Sequence, residues 1–165
     1  MESPICIRQA QLADVEELAY IEGLNFSKEA FQPETLKELM VDTFLIADLN
    51  GEIAGYIIGS AVSSHSLLKR DLMDVVKNPL QSDFLRLQRL SVHPNFQRQG
   101  IGTLLIASLK EMVALKEHEG ILLSCTESLL SYYEMNGFVD IGLLELLHWQ
   151  EPCFEMIWEN PYCKE

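Results

Sequence analysis

Leu87-Gln88-Arg89-Leu90-Ser91-Val92-His93-Pro94-Asn95-Phe96-Gln97-Arg98-Gln99-Gly100-Ile101-Gly102-Thr103-Leu104-Leu105 is the stretch that decides the fold. An apolar strand passes through a short loop into a helix whose first turn carries two glycines. Such a junction gathers unpaired main-chain N–H groups and the positive end of a helix dipole at one point. It is an anion site, and a diphosphate is its natural guest. Glycine at 100 and 102 removes side chains that would hold a phosphate off the backbone. The same two glycines equally suit a plain tight turn. A dinucleotide fold fits worse, because the third glycine is replaced by Leu105 and the motif lies mid-chain. No Gly-Lys-Ser/Thr follows, which excludes a nucleoside triphosphate loop.

Outward from this junction the elements alternate. Ile5–Arg8 reads as a strand, and Leu12 to Gly23 as a helix with apolar positions 12, 15, 18, 19 and 21. Asn25 to Gln32 is a polar-aromatic loop, and Pro33 opens a second helix reaching about Met40. Thr43–Leu49 and Glu52–Val62 form a hairpin across Asn50-Gly51. Leu67–Val76 has room for a helical turn or two, and Asp83–Val92 is a strand. The helix after the glycines has an apolar face at 101, 104, 105, 109, 112 and 113. Ile121–Cys125 is a buried strand, and Ser128–Asn136 a short helix stopped at Asn136-Gly137. Phe138–Leu147 and Cys153–Trp158 close the chain as strands. The expected fold is a single mixed α/β domain over residues 1–165 with one central sheet.

At 165 residues and 48% apolar content the chain suits one core. The apolar runs are too short for a membrane span, and Met1-Glu2-Ser3-Pro4 does not open a secretion signal. Cysteines at 6, 125, 153 and 163 show no Cys-x-x-Cys spacing. Cys6 and Cys125 read as small buried hydrophobes, in keeping with a reduced cytoplasmic setting and no metal site. A net charge of −13 argues against nucleic acid as a partner. The window from Lys69 to Arg98 is nevertheless locally +3, leaving −16 elsewhere, so the basic region surrounds the anion site.

A second motif, Tyr132-Tyr133-Glu134-Met135-Asn136-Gly137-Phe138, follows about thirty residues on. A strand ending in Val-His-Pro, then Gln-x-x-Gly-x-Gly, then Tyr-Glu-x-x-Gly-Phe resembles the GNAT superfamily of acyl-CoA-dependent N-acyltransferases. The resemblance covers nearly the whole chain and implies a central, mostly antiparallel sheet of six to seven strands flanked by about four helices. Leu90-Ser91-Val92-His93 and Cys125-Thr126-Glu127 are most similar to the serotonin (arylalkylamine) branch and its microbial relatives. That branch carries two histidines on the strand before Val-His-Pro. Here the positions are Arg86 and Gln88, a departure that puts the arylalkylamine substrate in doubt.

The resemblance implies acetyl-CoA as cofactor, its diphosphate on the backbone of Gln97, Arg98, Gln99, Gly100, Ile101, Gly102 and Thr103. Backbone groups around Leu90, Ser91 and Val92 would pair with the pantetheine arm and acetyl carbonyl like an added strand. An amide N–H aimed at the thioester oxygen stabilises the oxyanion formed as an amine attacks. Arg98 adds charge to the diphosphate or is an ordinary surface arginine. Tyr133 is the expected general acid for the departing sulfur, with Tyr132 packed beside Phe138. The base is unnamed among Glu22, Glu29, Glu145 and His148, and His93 is expected to cap the turn before Pro94. Asn25, Phe26 and Phe31 belong to the loop over the acceptor.

The expected activity is direct transfer of acetyl to a small primary amine in a ternary complex, by a monomer or homodimer. Acetylation of a protein N-terminus or lysine, and a non-catalytic acyl-CoA-binding module, are the other readings.

Overall fold

The structure is a computed structural model describing residues 4–62, 84–144 and 152–162 of the 165. The expected turns at Leu67–Val76, the end of the strand beyond Leu144, and Lys69, Arg70, Lys77, His65, Glu145, His148 and Cys163 lie outside those residues. Seven strands follow the order β1-β2-β3-β4-β5-β7-β6. They are β1 (Ile5–Gln9), β2 (Phe44–Leu49), β3 (Glu52–Val62), β4 (Phe84–Val92), β5 (Gly120–Thr126), β6 (Val139–Leu144) and β7 (Cys153–Glu159). The pairs β1–β2, β2–β3, β5–β7 and β6–β7 are antiparallel, and β4–β5 is parallel. The helices described are α1 (Val15–Phe26), α2 (Pro33–Glu38), α3 (Ile101–Lys116) and α4 (Leu130–Met135). The mixed, mostly antiparallel sheet with four helices is the fold expected.

The chain forms two compact units. The first comprises Met1–Ser60 and Gln88–Leu109. Asn50 (φ 56°) and Gly51 (φ 89°) both take the left-handed conformation that a two-residue hairpin demands, and the Gly51 N–H donates to Asp48 Oδ1 at 2.7 Å. Leu18 and Ile21 of α1 and Leu36 of α2 are buried with Phe44, Ile46, Tyr56 and Ile58 of β2 and β3. On the opposite face of β3, Gly55 lies under α3. A Cβ there would stand 3.2 Å from Ile101 Cγ2 and 3.4 Å from Leu105 Cδ1. Helices on both faces make the strands apolar on both sides, and Phe44 to Ala47 are consecutively buried.

Two boundaries differ from expectation. Leu12–Asp14 is a 3₁₀ turn, closed by the Gln11 N–H on Asp14 Oδ2 at 2.8 Å, so α1 starts later, at Val15. It then runs through Gly23 to Phe26, because Glu22 and Phe26 find tertiary partners, the Phe31 N–H and Arg89, that hold its last turn. Cys6 is exposed on β1 rather than buried, since β1 is an edge strand.

The second unit comprises Ala61–Leu87 and Lys110–Glu165. Within it β5 pairs in parallel with the start of β4, from Phe84↔Gly120 to Arg86↔Leu122. Ile121, Leu122, Leu123, Met156 and Phe138 form its buried interior. Gly120 is required by proximity, since a Cβ there would fall 2.1 Å from the Trp158 carbonyl oxygen. Gly137, at φ 93°, ends α4 as expected, whereas Asn136 stays right of that region at φ −97°. Along α3 the buried positions are 101, 102, 105, 106, 109 and 113; Leu104 turns outward and Ile106 takes its place. Among the described residues no helix is long and apolar enough to cross a membrane.

Candidate active site

The α3 hydrogen-bond ladder opens with the Leu104 N–H on the Gly100 carbonyl at 3.0 Å. The N–H groups of Ile101, Gly102 and Thr103 therefore have no helical carbonyl behind them and lie at the positive dipole end. Gly100 stands one residue ahead of α3, so one glycine, not two, occupies its first turn. Arg98 (φ 66°) and Gly100 (φ 81°) are left-handed while Gln99 between them is not. That alternation of hand turns successive N–H groups into an anion-binding concavity. A Cβ on Gly100 would meet nothing within 4 Å, so the space before the loop is open. A left-handed arginine costs about 1 kcal/mol, a strain of the kind that collects at functional loops. His93 caps the preceding turn as expected, its Nδ1 accepting the Asn95 N–H at 3.0 Å.

The basic window needs correction. Of its described members Arg86 and Arg89 are spent on carboxylates, and only Arg98 is exposed without an ion pair among the described residues.

At the end of β4 the pleat sorts the backbone groups. The His93 N–H donates to Ala54 O at 2.8 Å, and Ser91 O lies so close to β3 that a Cβ on Gly55 would sit 2.8 Å from it. The N–H and C=O of Leu90 and Val92 consequently point away from β3. Val92 O is already occupied, by Asn25 Nδ2 at 3.0 Å and Gln97 Nε2 at 3.2 Å. Of the two Val92 backbone groups expected to meet a guest, the N–H alone is open among the described residues. Ser91 is buried, and its Oγ accepts from Asn25 Nδ2 at 2.7 Å.

Beside it lies a clasp that sequence reasoning missed. Glu22 is fully buried on α1 and accepts from four donors. These are the Phe31 N–H at 2.7 Å, Tyr56 Oη at 2.8 Å, and Arg89 Nη2 and Nε at 2.9 and 3.1 Å. The Arg89 guanidinium lies between the rings of Phe26 and Phe31, 3.8 and 4.0 Å from their centroids, and donates to Glu29 O at 2.9 Å. Phe26 and Phe31 thus serve β4. Burial beside Glu22 pushes the Tyr56 hydroxyl far above its ordinary value, so it stays a donor. The signal in the sequence was a charge on an inward position of each element: Glu22 follows Leu18 by four, and Arg89 continues the buried series Leu85, Leu87. Glu29 is exposed.

In the second unit Tyr133 is 7% exposed, its ring 5.7 Å from Phe138 and 5.3 Å from Tyr132. The ring beside Phe138 is therefore that of Tyr133, not Tyr132, because α4 turns position 133 inward. No described buried side-chain N or O lacks a hydrogen bond, and the Tyr133 hydroxyl has no partner among the described residues, so the hydroxyl is the part that meets solvent. Burial pushes that hydroxyl well above the ordinary tyrosine value, with Tyr132 and Cys125 adding to it. It is a donor not yet used. Lys110 of α3 donates to Asn136 O past the end of α4 and lies over the rings of Phe138 and Trp158.

Arg86, Ser124 and the buried Glu155 close a half-buried triangle. Arg86 Nη1 donates to Glu155 Oε2 at 2.9 Å, Ser124 Oγ donates to Glu155 Oε1 at 2.8 Å, and Arg86 Nη2 donates to Ser124 Oγ. Burial lifts Glu155 above the ordinary carboxylate value against the pull of Arg86. Burial likewise pushes the Cys125 thiol up to about 11, which leaves it an inert buried thiol. Among the described residues no cluster of His, Cys, Asp or Glu could hold a metal ion.

The family model for the acetyltransferase (GNAT) domain matches residues 41–140. An N-alpha-acetyltransferase of Sulfurisphaera tokodaii is 30% identical over 145 residues, covering 84% of this chain and 82% of that protein. The loading GNATL domain of CurA from Lyngbya majuscula superposes with a TM-score of 0.80 at 16% identity, over 95% of this chain and 98% of that one. Arabidopsis thaliana NAA60, solved in complex with acetyl-CoA, gives a TM-score of 0.76 at 15% identity, over 94% and 99%. The last two likenesses are of fold.

Proposed function

This chain belongs to the GNAT acetyltransferase family, and on that premise we propose that it transfers acetyl from acetyl-CoA to a primary amine by direct attack in a ternary complex, as one domain. The observation that carries the reading is the open set of main-chain donors from Gln97 to Thr103, with left-handed Arg98 and Gly100. They hold the cofactor diphosphate, and the exposed Arg98 adds a positive charge. Leu90 and Val92 face the pantetheine and acetyl groups, the Val92 N–H serving the thioester oxygen.

The neutral amine attacks the carbonyl carbon, the C–N bond forms and the C–S bond breaks. Tyr133 gives its phenolic proton to the departing sulfur, and the amine releases one proton as the amide forms, which restores the tyrosine through solvent. Neither strand position where the arylalkylamine branch has histidine supplies a base here, because Arg86 is locked to Glu155 and Ser124 and the Gln88 amide does not take up a proton. The 30% identical N-alpha-acetyltransferase favours one acceptor class over others, the α-amino group of a peptide or protein.

Gly100→Val tests the cradle. The valine side chain enters the open space and strains a φ of 81°. By calorimetry, acetyl-CoA affinity should fall at least tenfold with the fold intact; unchanged affinity refutes the cradle. Acetylation of a panel of amines and N-terminal peptides then ranks the acceptors.

A further inference from the structure

Resting on the reading of β4 as the strand that receives the thioester, we infer that Asn25 is a positioning residue for acetyl transfer, fixing the Val92 N–H through the carbonyl next to it. One side-chain amide binds two consecutive residues, Ser91 through Oγ at 2.7 Å and Val92 through its carbonyl at 3.0 Å. The peptide that carries the Val92 carbonyl is also held at its other end, His93 N–H on Ala54 O at 2.8 Å. Between these anchors the Val92 backbone has no freedom to turn. Its carbonyl, which points the same way as its N–H, is covered by amide hydrogens.

Chemistry makes that covering matter. An oxyanion forming on the thioester needs a donor and is repelled by a bare carbonyl dipole beside it. With Asn25 in place, the carbonyl is neutralised and the N–H is the group presented. Without it, Val92 O keeps only the longer 3.2 Å bond from the exposed Gln97, and its carbonyl dipole is left partly bare beside the developing oxyanion. The position of Asn25 does not depend on its own amide. The residues after it are pinned separately, by Arg89 on Glu29 O and by Glu22 on the Phe31 N–H, so removal of the amide leaves α1 and its loop in place.

Asn25→Ala and the near-isosteric Asn25→Asp test this in the full chain. Turnover is measured with the best acceptor of the panel, acetyl-CoA affinity by calorimetry, and the carbonyl stretch of bound acetyl-CoA, ¹³C-labelled at the carbonyl, by difference infrared spectroscopy. Asn25→Ala should keep acetyl-CoA affinity within about twofold while kcat falls about tenfold, a fraction of the loss for deleting an oxyanion donor outright. The carbonyl band, lowered in the parent enzyme, should return toward its solution value. Asn25→Asp, unable to donate and negative beside Val92 O, should lose more than the alanine variant although its shape is preserved. Equal turnover and an equal band shift in variant and parent overturn the role of Asn25. Tighter acetyl-CoA binding with unchanged kcat also overturns it, making the amide a mere occupant of the cofactor's place. A parent enzyme that binds acetyl-CoA with no band shift refutes instead the Val92 reading beneath it.

Discussion

A tyrosine with its ring buried and its hydroxyl free of protein partners keeps a proton donor available for chemistry. Tyr133 meets that description. Because burial raises its pKa, the group is protonated throughout the physiological range and is always ready to donate. Tyr133→Phe should lower kcat about a hundredfold, the low end of the ~10²–10⁴ span for acid catalysis, because a thiol is a fair leaving group without help. Acetyl-CoA affinity should stay unchanged, since Phe refills the space against Phe138. Equal kcat in both proteins at every pH refutes the role. At this scale the sequence was only partly legible. The motif named Tyr133, but which of the adjacent tyrosines meets Phe138 depends on the start of α4, one residue of phase. Glu22 and Arg89 went unpaired in the reading although removal of one partner from such a buried pair typically costs about 3–5 kcal/mol. Their spacing of 67 residues has no local signature.

Elements were more legible than contacts, because periodicity belongs to one segment and a contact to two. The Asn50-Gly51 hairpin, Pro33 at the head of α2 and Gly137 after α4 are each dictated by backbone sterics and stand where expected. The limits of α1 are not, because its last turn is retained by bonds to distant residues that outweigh the weak helix propensity of Gly23. Two glycines separate these cases. Gly55→Ala places a methyl 2.8 Å from Ser91 O and 3.2 Å from Ile101 Cγ2, forcing apart β3, β4 and the start of α3. It should cost about 1–3 kcal/mol in urea denaturation and weaken acetyl-CoA binding as well. Gly23→Ala, which meets nothing within 4 Å, should gain about 0.5–1 kcal/mol. A Gly55→Ala variant as stable as the parent would show that β3 and β4 are not held at this spacing.

Over the whole molecule, a charge of −13 sets the pH response. Arg8 binds Asp14 in bidentate fashion at 2.9 Å and Asp48 at 2.9 Å, and holds both carboxyl groups below the ordinary aspartate value. A carboxyl depressed in the folded state contributes stability above the unfolded value of about 3.9 and loses it as the pH falls through the folded value. The stability difference between the parent and Arg8→Met should therefore be constant above about pH 5 and shrink below pH 4. A difference that grows in acid would reverse the assignment. The fold class was legible at this scale because the order of elements and the two motifs constrain it together. The charge distribution was not, since counting residues cannot tell Arg98 in water from Arg89 neutralised by Glu22.

The group that we propose meets the thioester at Val92 is part of the polypeptide itself. Every substitution there except proline retains it, so an alanine scan along β4 would score the position as dispensable. Exchanging the amide between Ser91 and Val92 for an ester by semisynthesis deletes that single hydrogen and keeps every side chain. The chemistry would then fail in a protein whose sequence reads as wild type.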